Sequence, residues 1–326
     1  MLAILVFCYE VLPGLVRNKI ISEVEKKCPQ CSLKIKRLSI SYLPELITLR
    51  DAYFKVGNKR SLELESKIEK VKFHISLWDV LFNGEKLAVD EIHLLRPLVK
   101  ITEGEVKEPL LGNGRDKGIF RFYTVFTKIT VIDGVFNYIQ ESRVGSGVRE
   151  ARVHLDNING NVEIKKMGIS DKEGSLQIGA TGILGTSGRL KLEVRALPFS
   201  AEQNLDLDLQ INEQDLSDVN SFFKTEDGLL LKGNLSLGRT WLHIRGSAMT
   251  VGLIAHYKEL KLHFEKKRGR GAVSAFFYNL LESIQVKKNS KKKNNPKLIE
   301  INREATEGLI HFILRGMKTG AIRFST

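Results

Sequence analysis

The chain has 326 residues, room for one large domain or two ordinary ones, and 42% of them are hydrophobic and 27% charged. That balance excludes a disordered polymer, a collagen, a disulfide mini-scaffold and a polytopic membrane protein. The formal net charge is +13, and most of it is local: from Lys258 to Thr326, eleven Lys and five Arg stand against six Glu, leaving +10. A local excess points to an anionic partner or surface near the C-terminus rather than to uniform solubility.

At the N-terminus, Leu2, Ile4, Leu5, Val6 and Phe7 form an apolar segment that Glu10 and Pro13 interrupt. A bilayer-crossing helix needs about 20 apolar residues, so this stretch cannot span alone. It lacks the basic start and small-residue cleavage site of a signal peptide. It is expected to be the end of a membrane helix whose upstream half is missing; the alternative is a short helix that docks on a partner. Leu15–Lys27 then continues as a helix with Val16, Ile20, Ile21 and Val24 on one side. Cys28-Pro-Gln-Cys31 lies between a helix end and a strand, the wrong setting for thiol catalysis. There is no second such pair for a zinc site, which leaves a local disulfide or two idle thiols.

From residue 32 the chain reads as strands, with apolar residues at every second position. Many runs slip by one residue midway: Leu33-Ile35 becomes Leu38-Ile40, and Ile47-Leu49 becomes Phe54-Val56. Val71-Phe73, Ile92-Leu94 and Phe136-Tyr138 are likewise out of step with the runs before them. A slip inverts every side chain unless a bulge absorbs it, and repeated bulges predict a strongly curved sheet. The expected fold is therefore mainly β: a long, strongly curved antiparallel sheet with an apolar concave face, an N-terminal anchor helix and two C-terminal helices. Later strands, such as Leu190-Leu192-Val194 and Leu205-Leu207-Leu209-Ile211, alternate cleanly with charged residues, so one face meets water. Gly185–Gly188 fits a hairpin turn.

Helical cover is scarce: short turns at Leu77–Phe82 and Leu216–Lys224, then helices at Ala272–Val286 and Arg303–Met317. Such helices cover only part of about a dozen strands, so some of the concave face needs another apolar occupant. The candidate lining residues are Leu33, Ile35, Leu49, Phe54, Val71, Phe73, Ile92, Leu94, Leu192, Val194, Leu207 and Leu209. A fully packed core is the competing expectation. The run Lys287, Lys288, Lys291, Lys292, Lys293 and Lys297 is the candidate contact for anionic headgroups, against the plainer alternative of a solvated loop.

Enzyme chemistry finds no foothold. The seven His are scattered, and no nucleophile elbow, Walker loop, zinc-protease helix or calcium loop occurs. Asp206 and Asp208 share one face of a strand, where solvation explains them better than paired-acid catalysis. No catalytic residue, metal ligand or cofactor is assigned. Nucleic acid is disfavoured as a partner because aromatic stacking positions are missing near the charge.

The order of motifs carries a resemblance. VLPGLVRNKIISEVEKK, CSLKIKRLSISYLPELITLRDAYFKV, LESKIEKVKFHIS, VDEIHLLRPLVKI, KITVIDGVFNYIQ, VHLDNINGNVEI and SLQIGATGILGTSGRLKLEV follow one another as in AsmA-like proteins, and the helix around Val273–Ile284 and GLIHFILRGM resemble their C-terminal part. The resemblance implies a Gram-negative envelope protein, anchored in the inner membrane with its body in the periplasm, whose larger relatives resemble bridge-like lipid transfer proteins. The implied partners are phospholipid, the inner membrane, and protein partners in an envelope assembly or further copies of the chain. The implied organisation is an anchor and short helix at 1–27, an AsmA-like β module at 28–102, a linker at 103–118, curved sheet at 119–270 and a basic helical segment at 271–326. The alternative function is a scaffold of an envelope complex with a dry core.

Overall fold

The computed structural model describes residues 10–42, 45–57, 62–74, 89–103, 126–144, 147–166, 174–197, 204–227, 229–264 and 297–304, with helical residues 312, 313, 315–317, 319 and 320. Helix α1 (Leu12–Lys27) leads into β1 (Cys31–Tyr42), β2 (Glu45–Gly57), β3 (Leu62–His74) and β4 (Val89–Glu103). Then come β5 (Phe126–Val144), β6 (Gly147–Lys166), β7 (Gly174–Leu184), β8 (Gly188–Ala196) and β9 (Asn204–Asp215). A 3-10 turn (Leu216–Val219) and α2 (Asn220–Asp227) precede β10 (Leu229–Arg245), β11 (Ala248–Phe264) and β12 (Lys297–Asn302). The twelve strands form one sheet in sequence order, and its first and last strands are not paired with each other.

The sheet is mixed, which corrects the all-antiparallel expectation: β4 and β5 run parallel, and every other pair is antiparallel. Parallel neighbours cannot be joined by a tight turn, because the chain must travel back along the strand. The strands on either side of residues 104–125 belong to the same sheet.

The slips have a local cause. Asp51 in β2, Arg96 in β4, Asp133 in β5, Asn157 in β6, Glu213 in β9 and Glu259 in β11 have φ between 47° and 57°. A left-handed residue breaks the pleat, so alternation restarts one step out of phase. In β2, Ile47 and Leu49 lie before Asp51, while Ala52 lies after it, and all three are buried. The first four strands slip together without changing register: Ile35 pairs with Ala52 and Arg37 with Arg50 on either side of the break. Register shifts of the expected bulge type occur only at β5–β6, β6–β7 and β10–β11. The slip foreseen at Lys258-Glu259 is the last of these, with Glu259 left-handed opposite Gly233 (φ 121°).

A polar seam follows the breaks. Lys36 faces Asp51 at 3.7 Å, Arg96 donates to Glu69 at 2.6 Å, and the Asp133 amide donates to Asn159 Oδ1 at 3.1 Å. Thr181 Oγ1 continues it by donating to the Asn159 carbonyl at 3.3 Å.

Hydrophobic packing gathers at the two ends of the sheet. Leu12 and Val16 of α1 pack with Ile35, Ile47, Leu49, Ala52, Val71, Phe73 and Val89, and Ile20 and Ile21 flank them. The helix begins at Leu12, earlier than its apolar stripe suggested, with Pro13 in its first turn where a missing N–H costs nothing. Its end is fixed by the Cys28 amide donating to Val24 O at 2.9 Å and by a Cys28–Cys31 disulfide, one of the two expected outcomes. At the far end Leu242, Ile244, Met249 and Val251 pack beneath Phe312, with Ile313 and Met317 beside it.

β7, β8 and β9 are shorter than their neighbours, and the 3-10 turn with α2 fills the notch they leave. Asp218 accepts from the Thr186 amide at 2.9 Å and its hydroxyl at 2.7 Å, holding the β7–β8 turn. Asn220 exchanges hydrogen bonds with Leu231 of β10, while Ser221 donates to the Arg152 carbonyl of β6 at 2.9 Å. The helical turn expected over Leu216–Lys224 is therefore present, and the turn at Gly185–Gly188 also forms.

The C-terminal segment is not wholly helical, a second correction. Lys297–Asn302 is a strand because Ile299 and Ile301 alternate with Glu300, which suits a half-buried edge. Arg303 and Glu304, expected in a helix, are not helical. The helix expected at Ala272–Val286 and the turn at Leu77–Phe82 lie outside the described residues.

Candidate functional site

Directly paired residues in neighbouring strands share a face, so the register can be followed strand by strand. One row threads the whole sheet: Ile40, Ile47, Phe73, Ile92, Ile129 and Val162 lead through Ile178, Val194 and Leu207 to Leu242, Val251 and Ile299. It takes one residue from every strand, and each is aliphatic or Phe. The row beside it runs Leu38, Leu49, Val71, Leu94, Val131, Gly160, Ala180, Leu192, Leu209, Thr240, Leu253 and Lys297. It is uncharged until its last member.

Phe73, Ile92, Val194 and Leu207 of the sequence-predicted lining residues fall in the first row, and Leu49, Val71, Leu94, Leu192 and Leu209 fall in the second. Leu33 and Phe54 pair with each other, and Ile35 pairs with Ala52, beyond the polar seam. Sequence reasoning missed Ile40, Ile47, Ile129, Val162, Ile178, Leu242, Val251 and Ile299 as members. Each sits in an alternating run, but periodicity within one strand does not say which residues of other strands stand opposite.

Cover over the first row differs along its length. Ile47 is 0% exposed and Phe73 7% beneath α1, and Leu242 and Val251 are both 0% exposed beneath the C-terminal helical residues. Ile92, Ile129, Val162, Ile178 and Leu207 are half-buried. Of the other predicted lining residues, Ile35, Leu49 and Val71 are buried with α1, Val194 is buried, and Leu33, Phe54, Leu94, Leu192 and Leu209 are half-buried.

The alternate positions carry the charge. In successive strands Lys55, Glu65 and Lys100 stand side by side, as do Glu91, Lys128 and Glu163, and Arg195, Asp206 and His243. Lys128 Nζ lies 2.9 Å from Glu91, and its hydrogen bond holds the Glu91 carboxyl below the usual range against a smaller effect of burial. Burial pushes the Asp206 carboxyl up, but hydrogen bonds from His243 at 2.9 Å and Arg245 at 2.7 Å outweigh it and keep the group low. Arg239 grips Asp208 with two nitrogens, at 3.0 and 2.5 Å. These are ion pairs between strands.

Among the described residues, no cluster of His, Cys, Asp and Glu is placed to hold a metal ion. Among the same residues, no helix is long and apolar enough to cross a membrane. Leu2, Ile4, Leu5, Val6 and Phe7 lie outside them, as do Lys287, Lys288, Lys291, Lys292 and Lys293. Lys297 opens β12. No family model matches this chain, and no curated protein matches it.

Proposed function

We propose that this protein holds or passes phospholipid acyl chains along the apolar rows of its sheet, as an inner-membrane-anchored, periplasmic component of Gram-negative envelope lipid transport. The observation that carries the proposal is the first cross-strand row, which is apolar in all twelve strands and covered by helices at its ends. Paired with the row beside it, about 7 Å further along the strands, it makes an apolar stripe about 55 Å long at roughly 4.8 Å per strand. One acyl layer of a bilayer is about 15 Å deep, so such a stripe accepts more than one chain end to end. In this proposal the strand breaks bend the sheet so that the stripe lines a concave trough, and the resemblance to AsmA-like proteins points the same way. Acyl chains slide on such a surface without chemistry, nucleotide or metal. The basic segment from Lys287 to Lys297 would meet headgroups at one mouth.

A dry scaffold is the second reading, favoured by the complete burial of Ile47, Leu242 and Val251. Purification from membranes in mild detergent, with extraction of retained lipid, separates the two. Near-stoichiometric phospholipid, lost in a folded Leu192→Asp, Leu207→Asp variant, supports the trough. No excess over an identically handled β-sheet protein supports the scaffold.

A further inference from the structure

On the face opposite α1 bases and acids alternate across strands in several rows, as in Lys55–Glu65–Lys100, and where two acids meet, as Glu193 and Asp208 do, Arg239 grips the second. Across β1, β2 and β3, however, Arg37, Arg50 and Lys70 stand directly side by side. Lys34 and Lys67 flank the row, on either side of Tyr53. Like charges paired across strands oppose folding, and an external anion would offset that cost. None of these cations has a hydrogen bond or ion pair with a described residue. The acids between them are already engaged, Asp51 with Lys36 and Glu69 with Arg96. Arg37, Arg50, Lys34 and Lys67 are exposed.

Aliphatic side chains, two of them exposed, continue the same cross-strand rows. The Arg37–Arg50–Lys70 row runs on to Leu95 and Ile132, and the Lys34–Tyr53–Lys67 row to Leu98 and Val135. Ile132 is 43% exposed and Leu98 40%. Cations beside exposed aliphatics form the combination that binds the interface of an anionic bilayer, the charges meeting headgroups and the apolar side chains entering between them. The cations spread in two dimensions, about 5 Å apart across strands and about 10 Å along them, whereas a nucleic acid duplex carries its charge along two narrow backbones. The one ring in the patch, Tyr53, donates to Glu65 at 3.1 Å and is not presented for base stacking.

We propose that the outer face of β1–β5 is a docking surface for the anionic headgroup layer of a membrane. It is separate from the apolar rows on the other face and from the basic C-terminal run, and it stands whether or not acyl chains occupy the sheet.

The test is flotation of the full-length protein with vesicles of phosphatidylcholine containing about 30% phosphatidylglycerol, over a range of salt. Arg37→Glu, Arg50→Glu and Lys70→Glu together should weaken partitioning about tenfold or more, and Leu98→Asn with Ile132→Asn should weaken it several-fold. Arg189→Glu with Lys191→Glu, on the same face but in β8 beside Glu213 and Glu193, should leave it within about twofold. If the Glu triple does not fold by circular dichroism, the Gln triple is read in its place. Unchanged binding by the folded triple variant, an equal loss in the β8 control, or equal binding of the native protein to neutral vesicles would each overturn the proposal. So would duplex RNA that binds the patch and displaces the vesicles.

Discussion

Arg96 Nη2 donates to Glu69 Oε1 at 2.6 Å across the β3–β4 pair, and it does so from a backbone held at φ 47°. The pair sits where both strands lose step: Ile68 pairs with Pro97 and Lys70 with Leu95 on either side. A left-handed non-glycine residue costs about 1–2 kcal/mol, and a β-branched side chain suffers most there. Arg96→Val is therefore expected to destabilise the protein by about 1–2 kcal/mol in chemical denaturation. Arg96→Gly gains backbone ease and loses an exposed ion pair of small worth, so it should stay within about 1 kcal/mol of the native protein. If Val were as stable as Gly, the left-handed break would be wrong.

Trp241 lies flat across Gly252 of β11, and a Cβ on that glycine would stand 2.1 Å from Trp241 Cε2. Substitution must push the half-buried indole away. Gly252→Val should cost about 1–3 kcal/mol and change the tryptophan fluorescence, because the ring also lies under the Arg239 guanidinium at 6.0 Å. An unaltered emission spectrum in a folded Gly252→Val protein would contradict this packing.

Asp206 supplies a pH dependence with a defined sign. Its folded-state pKa is depressed by His243 and Arg245 in excess of the opposing effect of burial. Its contribution is present above the unfolded value of about 3.9 and fades as pH falls through the lower folded value. The stability difference between native protein and Asp206→Asn should thus be visible at pH 7 and shrink below about pH 4. At 41% side-chain exposure the difference should be under about 1 kcal/mol after solvent screening. A difference that grew on acidification would reverse the assignment.

Much of the sheet was legible in the residues because period-two runs mark strands, and the one-residue slips marked where they break. Ile47-Leu49 against Phe54-Val56 located the break that Asp51 makes. What occupied the breaks was partly hidden: Asp51, Asp133 and Asn157 are of types that tolerate the left-handed conformation, but Arg96, Glu213 and Glu259 are not, and no residue type advertises those three. Strand direction was hidden too, since alternation is the same in parallel and antiparallel pairs, and Ile92 opposite Ile129 looks no different from Phe73 opposite Ile92. Lys297 was assigned to a basic run because the five lysines before it outweighed the short Leu298–Ile301 alternation that makes β12. The lining residues were found strand by strand. Their alignment into a single row depends on register, which is a long-range property.

The most direct measurement of the central claim is photocrosslinking at two adjacent positions of β7. A benzophenone amino acid at Ile178, half-buried in the apolar row, is compared with one at Gln177, whose cross-strand partners are Glu163 and Arg195 on the opposite face. After irradiation of cells and purification, the account predicts phospholipid adducts at Ile178 in clear excess over Gln177. Lipid adducts at neither position, or equally at both, would contradict it.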